Sequence, residues 1–251
     1  MTTVAHFFGC DNYSNVGGFI AGVECEIEGV YGPQVTGIFT PVADGSLRNH
    51  GIEYVSAPMP TGDLVKGFEK LHGSLTFYQG EEPFSVRTST HVHINCQTLD
   101  LVQARTLVLL YALFEEYFFL MVKPERRDNI HCVPLTETAM PNLYKRDLPK
   151  MVENWHKYTA LNLKRLKDLG TMEFRHLHGT NDAVEFAVWV NTLENMWKLC
   201  QRTTISKETL TKENIKWWFD TIFANSERAF SMRHSLFDLI RNSVIDVKFS
   251  I

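Results

Sequence analysis

The stretch "STHVHINC", residues 89–96, sets His91 and His93 two positions apart in a segment that otherwise reads as a strand. Side chains at i, i+2 and i+4 share one face of a strand, so His91, His93 and Asn95 oppose Val92, Ile94 and Cys96. Three further stretches repeat the device. "GVECEIEG" aligns Glu24, Glu26 and Glu28; "GIEYVSAP" carries Glu53 in an apolar run; "TMEFRHL" aligns Thr171, Glu173 and Arg175. Polar-out alternation is normal for antiparallel strands covered on one side, and it explains any one of these alone. Glu28, beside a glycine, reads best as a solvated edge residue. Four strands together are harder to explain, because glutamate is depleted in strands and facing like charges destabilise a sheet.

If Glu24, Glu26, Glu53 and Glu173 converge, their repulsion must be relieved, either by protonation of a crowded carboxylate, whose pKa rises, or by divalent metal. Oxygen ligands with an occasional imidazole suit Mg²⁺ or Mn²⁺ better than zinc. Arg175, in the same row as Glu173, then offers a planar fork for a phosphoryl group. The residues reach a metal–phosphate site on a sheet face and stop short of a reaction.

Short strands with Gly/Pro turns dominate the first ~95 residues. A long apolar helix is predicted over 100–123, closed by Pro124, followed by the loop "RRDNIHCVPL". After the strand near 170–180, "NDAVEFAVWVNTLENMWKLCQ" predicts a helix with Asp182 as N-cap and Glu185 as its capping-box partner. Two more helices are predicted over 207–224 and 226–242, with Trp217, Trp218, Phe219, Ile222, Phe230, Leu236, Phe237, Leu239 and Ile240 as core. Strands first and helices later make the class α+β. No linker or repeat divides the chain, so residues 1–251 are expected to be one domain, with a motif-bearing part near 20–180 and a helical part near 181–251.

Composition narrows the classes. The 251 residues are 44% hydrophobic and 22% charged with a net charge of −4, which argues against disorder and against a nucleic-acid-coating protein. Five scattered cysteines without a CxxC support neither a disulfide framework nor a thiolate zinc site. "TLVLLYALF" is too short and too closely flanked by charge to span a bilayer, and "MTTVAHFFGCDNYS" does not read as a signal peptide. A cytoplasmic setting without membrane or nucleic-acid partners is expected; oligomeric state is not legible.

Five blocks in order, "GVECEIEG", "DGSLRNHGIEYVSAPM", "STHVHINC", "RRDNIHCVPL" and "GTMEFRHLHGT", resemble the amidoligase family. That family belongs to the carboxylate–amine ligase superfamily of glutamine synthetase and glutamate–cysteine ligase. The resemblance implies a curved antiparallel sheet forming a funnel, with helices on its outer face. It also implies ATP- and Mg²⁺-dependent amide formation through an acyl-phosphate. Metal ligands would be Glu24, Glu26, Glu53, His91 and Glu173. His91, His93, Arg126, Arg127 and Arg175 would meet the nucleotide, and Arg175, Glu53 and His93 would act in catalysis. His176 falls on the opposite face and reads as a packed core residue, while Asp44 and Ser46 read equally as turn residues or as the family's "D-x-S". Substrates would be an amino-acid or peptide carboxylate and an amine. The alternatives are a metal-dependent hydrolase and a non-catalytic binding protein that keeps the ligase fold.

Overall fold

A computed structural model describes residues 2–32, 37–138 and 147–251. A short helix α1 (Val4–Phe8) precedes β1 (Ala21–Ile27), β2 (Phe39–Val42) and β3 (Ile52–Ser56). Then come α2 (Thr61–Ser74), β4 (Thr90–Asn95), α3 (Leu101–Leu120), α4 (Leu135–Thr138) and α5 (Leu148–Asn154). Strands β5 (Leu161–Asn162) and β6 (Thr171–Phe174) complete the sheet. The chain ends in α6 (Ala183–Cys200), α7 (Lys212–Ile222), α8 (Glu227–Ser231), α9 (Leu236–Leu239) and α10 (Arg241–Ser250). The six strands form an antiparallel sheet in the order β2-β3-β1-β4-β6-β5, with helices on one face, so the fold is α+β.

The period-2 alternation explains which face is covered. Val23, Cys25, Ile27, Val92, Ile94, Cys96, Met172 and Phe174 are all buried in one cluster with α2, α3 and α6. Helix α3 is apolar over most of its surface, and 14 of its 20 residues are buried. Asp100 caps it by accepting from Val102 and Gln103, and the Gln103 side chain closes the capping box. Tyr111 and Phe118 of α3 pack on Phe174 of β6, with centroids 5.9 and 6.1 Å apart. Burying a side chain of that size contributes about 2–3 kcal/mol. The opposite face of the sheet is left for the polar rows.

Five expectations are corrected. Residues 61–74 form α2 rather than a continuation of the strands: Leu64, Phe68 and Leu71 fall on one helical face, and Phe68 stacks on Phe186 of α6 at 4.0 Å. The helix expected over 226–242 breaks after Ser231, where Arg233 turns to grip both carboxylate oxygens of Asp220 at 2.6 and 2.5 Å. Trp217 and Phe230 are exposed, since the buried stripe of α7 is Ile215, Trp218, Phe219 and Ile222. Glu28 is fully buried, held by both Arg87 nitrogens and the Arg48 N–H. Asp182 does cap α6, but Glu185 pairs with His178 at 3.3 Å rather than closing a capping box. His176 is buried among aromatic rings, as expected.

His72 carries a pH prediction. Its ring packs on Phe68 at 4.4 Å, Nε2 has no hydrogen-bond partner, and burial pushes the imidazole down to about 4. The unfolded chain takes up that proton near pH 6.5, so stability falls as pH drops from 6.5 through 4. Replacing His72 with Phe should recover up to about 2 kcal/mol at pH 4.5 and little at pH 7.5, read by urea denaturation.

Candidate active site

Sheet register sorts the polar rows into pairs. Glu24 sits opposite His91, and His93 opposite Glu173, so carboxylates and imidazoles alternate across β1, β4 and β6. Glu26, by contrast, sits directly opposite Glu53 across β1 and β3. All of these side chains except His93 line one cavity of about 620 Å³, together with Asp44, four arginines (Arg87, Arg126, Arg165, Arg175) and loop residues around His131; His93 faces a neighbouring cavity instead. The acids expected to converge do so.

The first group is internally compensated. His91 Nδ1 lies 3.3 Å from Glu24 and 3.5 Å from Glu173, and His93 Nε2 lies 3.1 Å from Glu24. Burial alone would raise the Glu24 carboxyl, but the two imidazoles outweigh it and hold Glu24 well below the usual carboxylate range. Burial would also raise Glu173, yet His91, His93 and Arg175 together bring it down. Arg175 pairs with Glu173 and donates from Nε to the His131 carbonyl at 2.8 Å. Asn162 on β5 donates to the same carboxylate at 2.7 Å.

The second group is less fully compensated: Arg126 lies near enough to Glu26 to interact with its charge, but no ion pair reaches Glu26, Asp44 or Glu53 among the described residues. Glu26 accepts from the Ser89 hydroxyl at 2.6 Å, and Glu53 meets no Lys or Arg among the described residues. Burial first, then the charges of Glu24, Glu26 and Asp44, push the Glu53 carboxyl up to about 7. Glu26, Asp44 and Glu53 each offer an oxygen within 4.8 Å of the others, as do donor atoms of Glu24, His91 and Glu173. The expected acids thus form two donor sets rather than one. Asp44 joins the second while also shaping its turn by accepting from the Ser46 N–H at 2.8 Å.

The two loop arginines part company. Arg126 is buried, lines the cavity and donates to the carbonyls of His176 and Arg175 at 3.0 and 2.5 Å. Arg127 lies away from the cavity, bidentate on Glu116 at 2.7 and 2.9 Å and over the Phe119 ring. Truncating Arg127 to Ala should therefore cost about 0.5–1 kcal/mol of stability, checked by urea denaturation, and leave the residues lining the cavity in place.

Sequence reasoning missed Ser89, Asn162 and Arg165. Ser89 was within reach, because one step back along the His91–His93 alternation puts it on the same face, and its hydroxyl bridges Glu26 and His91. Arg165, 3.8 Å from Glu173, and Asn162 arrive through a two-residue strand and a 3₁₀ turn that no periodicity announces.

A second cavity of about 330 Å³ adjoins the first at Glu24, which lines both, and His93 belongs to the smaller one alone. Tyr13, Val55, Pro58 and Leu169 supply its apolar walls.

A family model described as "Putative amidoligase enzyme" matches residues 42–197. That span holds Glu53, His91, His93, Arg126, Glu173 and Arg175; Glu24 and Glu26 precede it and join it through the β1 register. A solved structure titled "Crystal structure of novel glutamine synthase homolog" is similar at 13% identity and a TM-score of 0.36, over 92% of this chain. This chain spans 65% of that protein's length. No curated protein matches the chain.

Proposed function

The chain belongs to the amidoligase family, whose function is of the ligase type, and we propose that it joins a carboxylate to an amine at the expense of ATP. The observation that carries this reading is the Glu26–Asp44–Glu53 group, without an ion pair among the described residues, in a cavity that also holds four arginines. A cavity with both charge classes suits a triphosphate held between divalent cations and guanidinium groups.

The donor chemistry fits the metal. Glu26, Asp44 and Glu53 are an all-oxygen set of the kind Mg²⁺ or Mn²⁺ prefers, and Glu24, His91 and Glu173 are a mixed set for a second ion. Mg²⁺ there would neutralise phosphate oxygens and relieve the crowding of the carboxylates. Arg175, held by Glu173 and the His131 carbonyl, meets the charge on the phosphoryl group in flight. Glu24, the residue the two cavities share, and its partner His93 in the smaller one orient the reacting groups. A substrate carboxylate oxygen attacks the γ-phosphorus and ADP leaves, giving an acyl-phosphate. The amine nitrogen then attacks the acyl carbon, the C–O bond to phosphate breaks with its electron pair, and the nitrogen's proton ends on the departing phosphate. Such transfers need mainly positioning and electrostatics, which side chains on a sheet supply.

Five unpaired, buried cysteines suit a reducing, cytoplasmic setting, and no helix among the described residues is long and apolar enough to cross a membrane. The test is ADP release with Mg²⁺ over a panel of amino acids and short peptides. ADP formed together with an amide is the expected result. Metal-dependent hydrolysis indifferent to nucleotide would replace this reading with the hydrolase, and nucleotide uptake without turnover of any acid would leave a binding protein.

A further inference from the structure

The two adjoining cavities differ in charge. The larger one holds four arginines; the smaller has no Lys or Arg among its described lining residues. Its charged groups are Glu24 and His93, 3.1 Å apart, and of the two the Glu24 carboxylate is the more exposed and the one open to a further N–H donor. Nothing in it would hold a carboxylate or a phosphate. Its two buried amides are already engaged: Asn95 donates to the Tyr13 carbonyl at 3.3 Å and accepts from the Gln97 N–H, while Gln97 donates to the Leu169 carbonyl and accepts from the Tyr13 N–H. Each amide is thus tied to the backbone through one N–H and its oxygen. What remains is an apolar chamber whose inner wall is the Glu24–His93 pair.

From this division we propose that the smaller cavity binds the amine substrate, and that this amine is organic, an R–NH₂ with an apolar body, rather than ammonia. The proposal rests on the ligase reading above and adds the nucleophile's class to it. Ammonia needs no 330 Å³ chamber, whereas the volume suits a group about the size of an amino-acid side chain. Gly22 makes the room. It stands opposite His93 and two residues before Glu24 on the same face, and a Cβ there would meet only ordinary contacts, Ser56 O at 3.5 Å and Pro58 Cγ at 3.9 Å. A longer side chain at 22 would extend into the chamber. The amine nitrogen would lie at the Glu24–His93 wall, on the far side of which the acyl group is formed.

The probes are n-butylammonium and n-butyrate, titrated into the full chain, with Mg²⁺ and a non-hydrolysable ATP analogue titrated separately. Wild type should bind n-butylammonium at least ten-fold more tightly than n-butyrate. Gly22→Leu should weaken n-butylammonium at least ten-fold and leave nucleotide uptake within two-fold. Leu169→Trp, on the exposed opposite wall, should do the same and serves if Gly22→Leu does not fold. A matching fall in nucleotide affinity would put the base in this chamber and overturn the proposal, as would n-butyrate binding equally well or no n-butylammonium binding. Wild type that binds n-butylammonium but no nucleotide would sink the ligase reading and leave the amine site standing.

Discussion

Replacing Glu53 with Gln is expected to stabilise the metal-free protein and to disable it in the same step. Glu53 faces Glu26 across the β1–β3 ladder with Asp44 alongside, and no Lys or Arg among the described residues meets it. Facing like charges in a sheet cost roughly 0.5–1 kcal/mol, so the isosteric amide should raise Tm by about 2–4 °C. The sign with pH follows from the Glu53 carboxyl, which burial and its neighbours push up to about 7. A folded-state pKa above the unfolded value gives stability that is complete below about pH 4.5 and is lost as pH rises through 7. The gain from Gln should therefore be small at pH 5 and full at pH 8. Mg²⁺ should raise the melting temperature of wild type and do little for the variant, because a ligand stabilises only the state that binds it. ADP release should fall by about two to three decades, the usual consequence of losing ~3–4 kcal/mol of transition-state charge stabilisation. A lower melting temperature at pH 8 would mean that something other than a divalent cation balances these carboxylates.

Arg175→Ala should lower ligation by a similar two to three decades while the fold survives. The side chain stands at the cavity, and the neighbouring strand is held without it: β6 pairs with β4 and β5, and Arg126 fastens the Arg175 carbonyl. Arg175→Lys keeps the charge but loses the fork that serves Glu173 and the His131 carbonyl together, so it should recover only part of the rate. Circular dichroism and ADP release, measured on both variants, check the pair of claims. Near-wild-type turnover in Arg175→Ala would remove Arg175 from the chemistry.

Most of the site was readable because period-2 alternation is a strong constraint once one face is apolar. Val23, Cys25 and Ile27 had to face the helices, so Glu24 and Glu26 had to face away, and the same logic placed His91, His93, Glu173 and Arg175. Register was not readable. That Glu26 would face Glu53 while Glu24 faced His91 depends on strand order and on the turn before β3, and it is this register that divides the acids into a group closed by ion pairs and a group without them. Arg127 reads like Arg126 in sequence, yet the two lie on a 3₁₀ turn and its C-terminal cap, so one points into the cavity and the other onto Glu116. Helix α2 escaped notice because its apolar spacing lies between Gly-rich, strand-like stretches, and α8 to α10 because an ion pair, Arg233 to Asp220, breaks a run that periodicity alone would continue.

The central claim is that acids brought together by the sheet hold divalent cations for a nucleotide. Calorimetric titration of a non-hydrolysable ATP analogue in the presence of Mg²⁺ tests it most directly, run on wild type and on the Glu26→Gln/Glu53→Gln double variant. The account predicts Mg²⁺-dependent uptake by wild type and none by the double variant. Uptake that survives in the double variant, or no uptake by wild type, would contradict it.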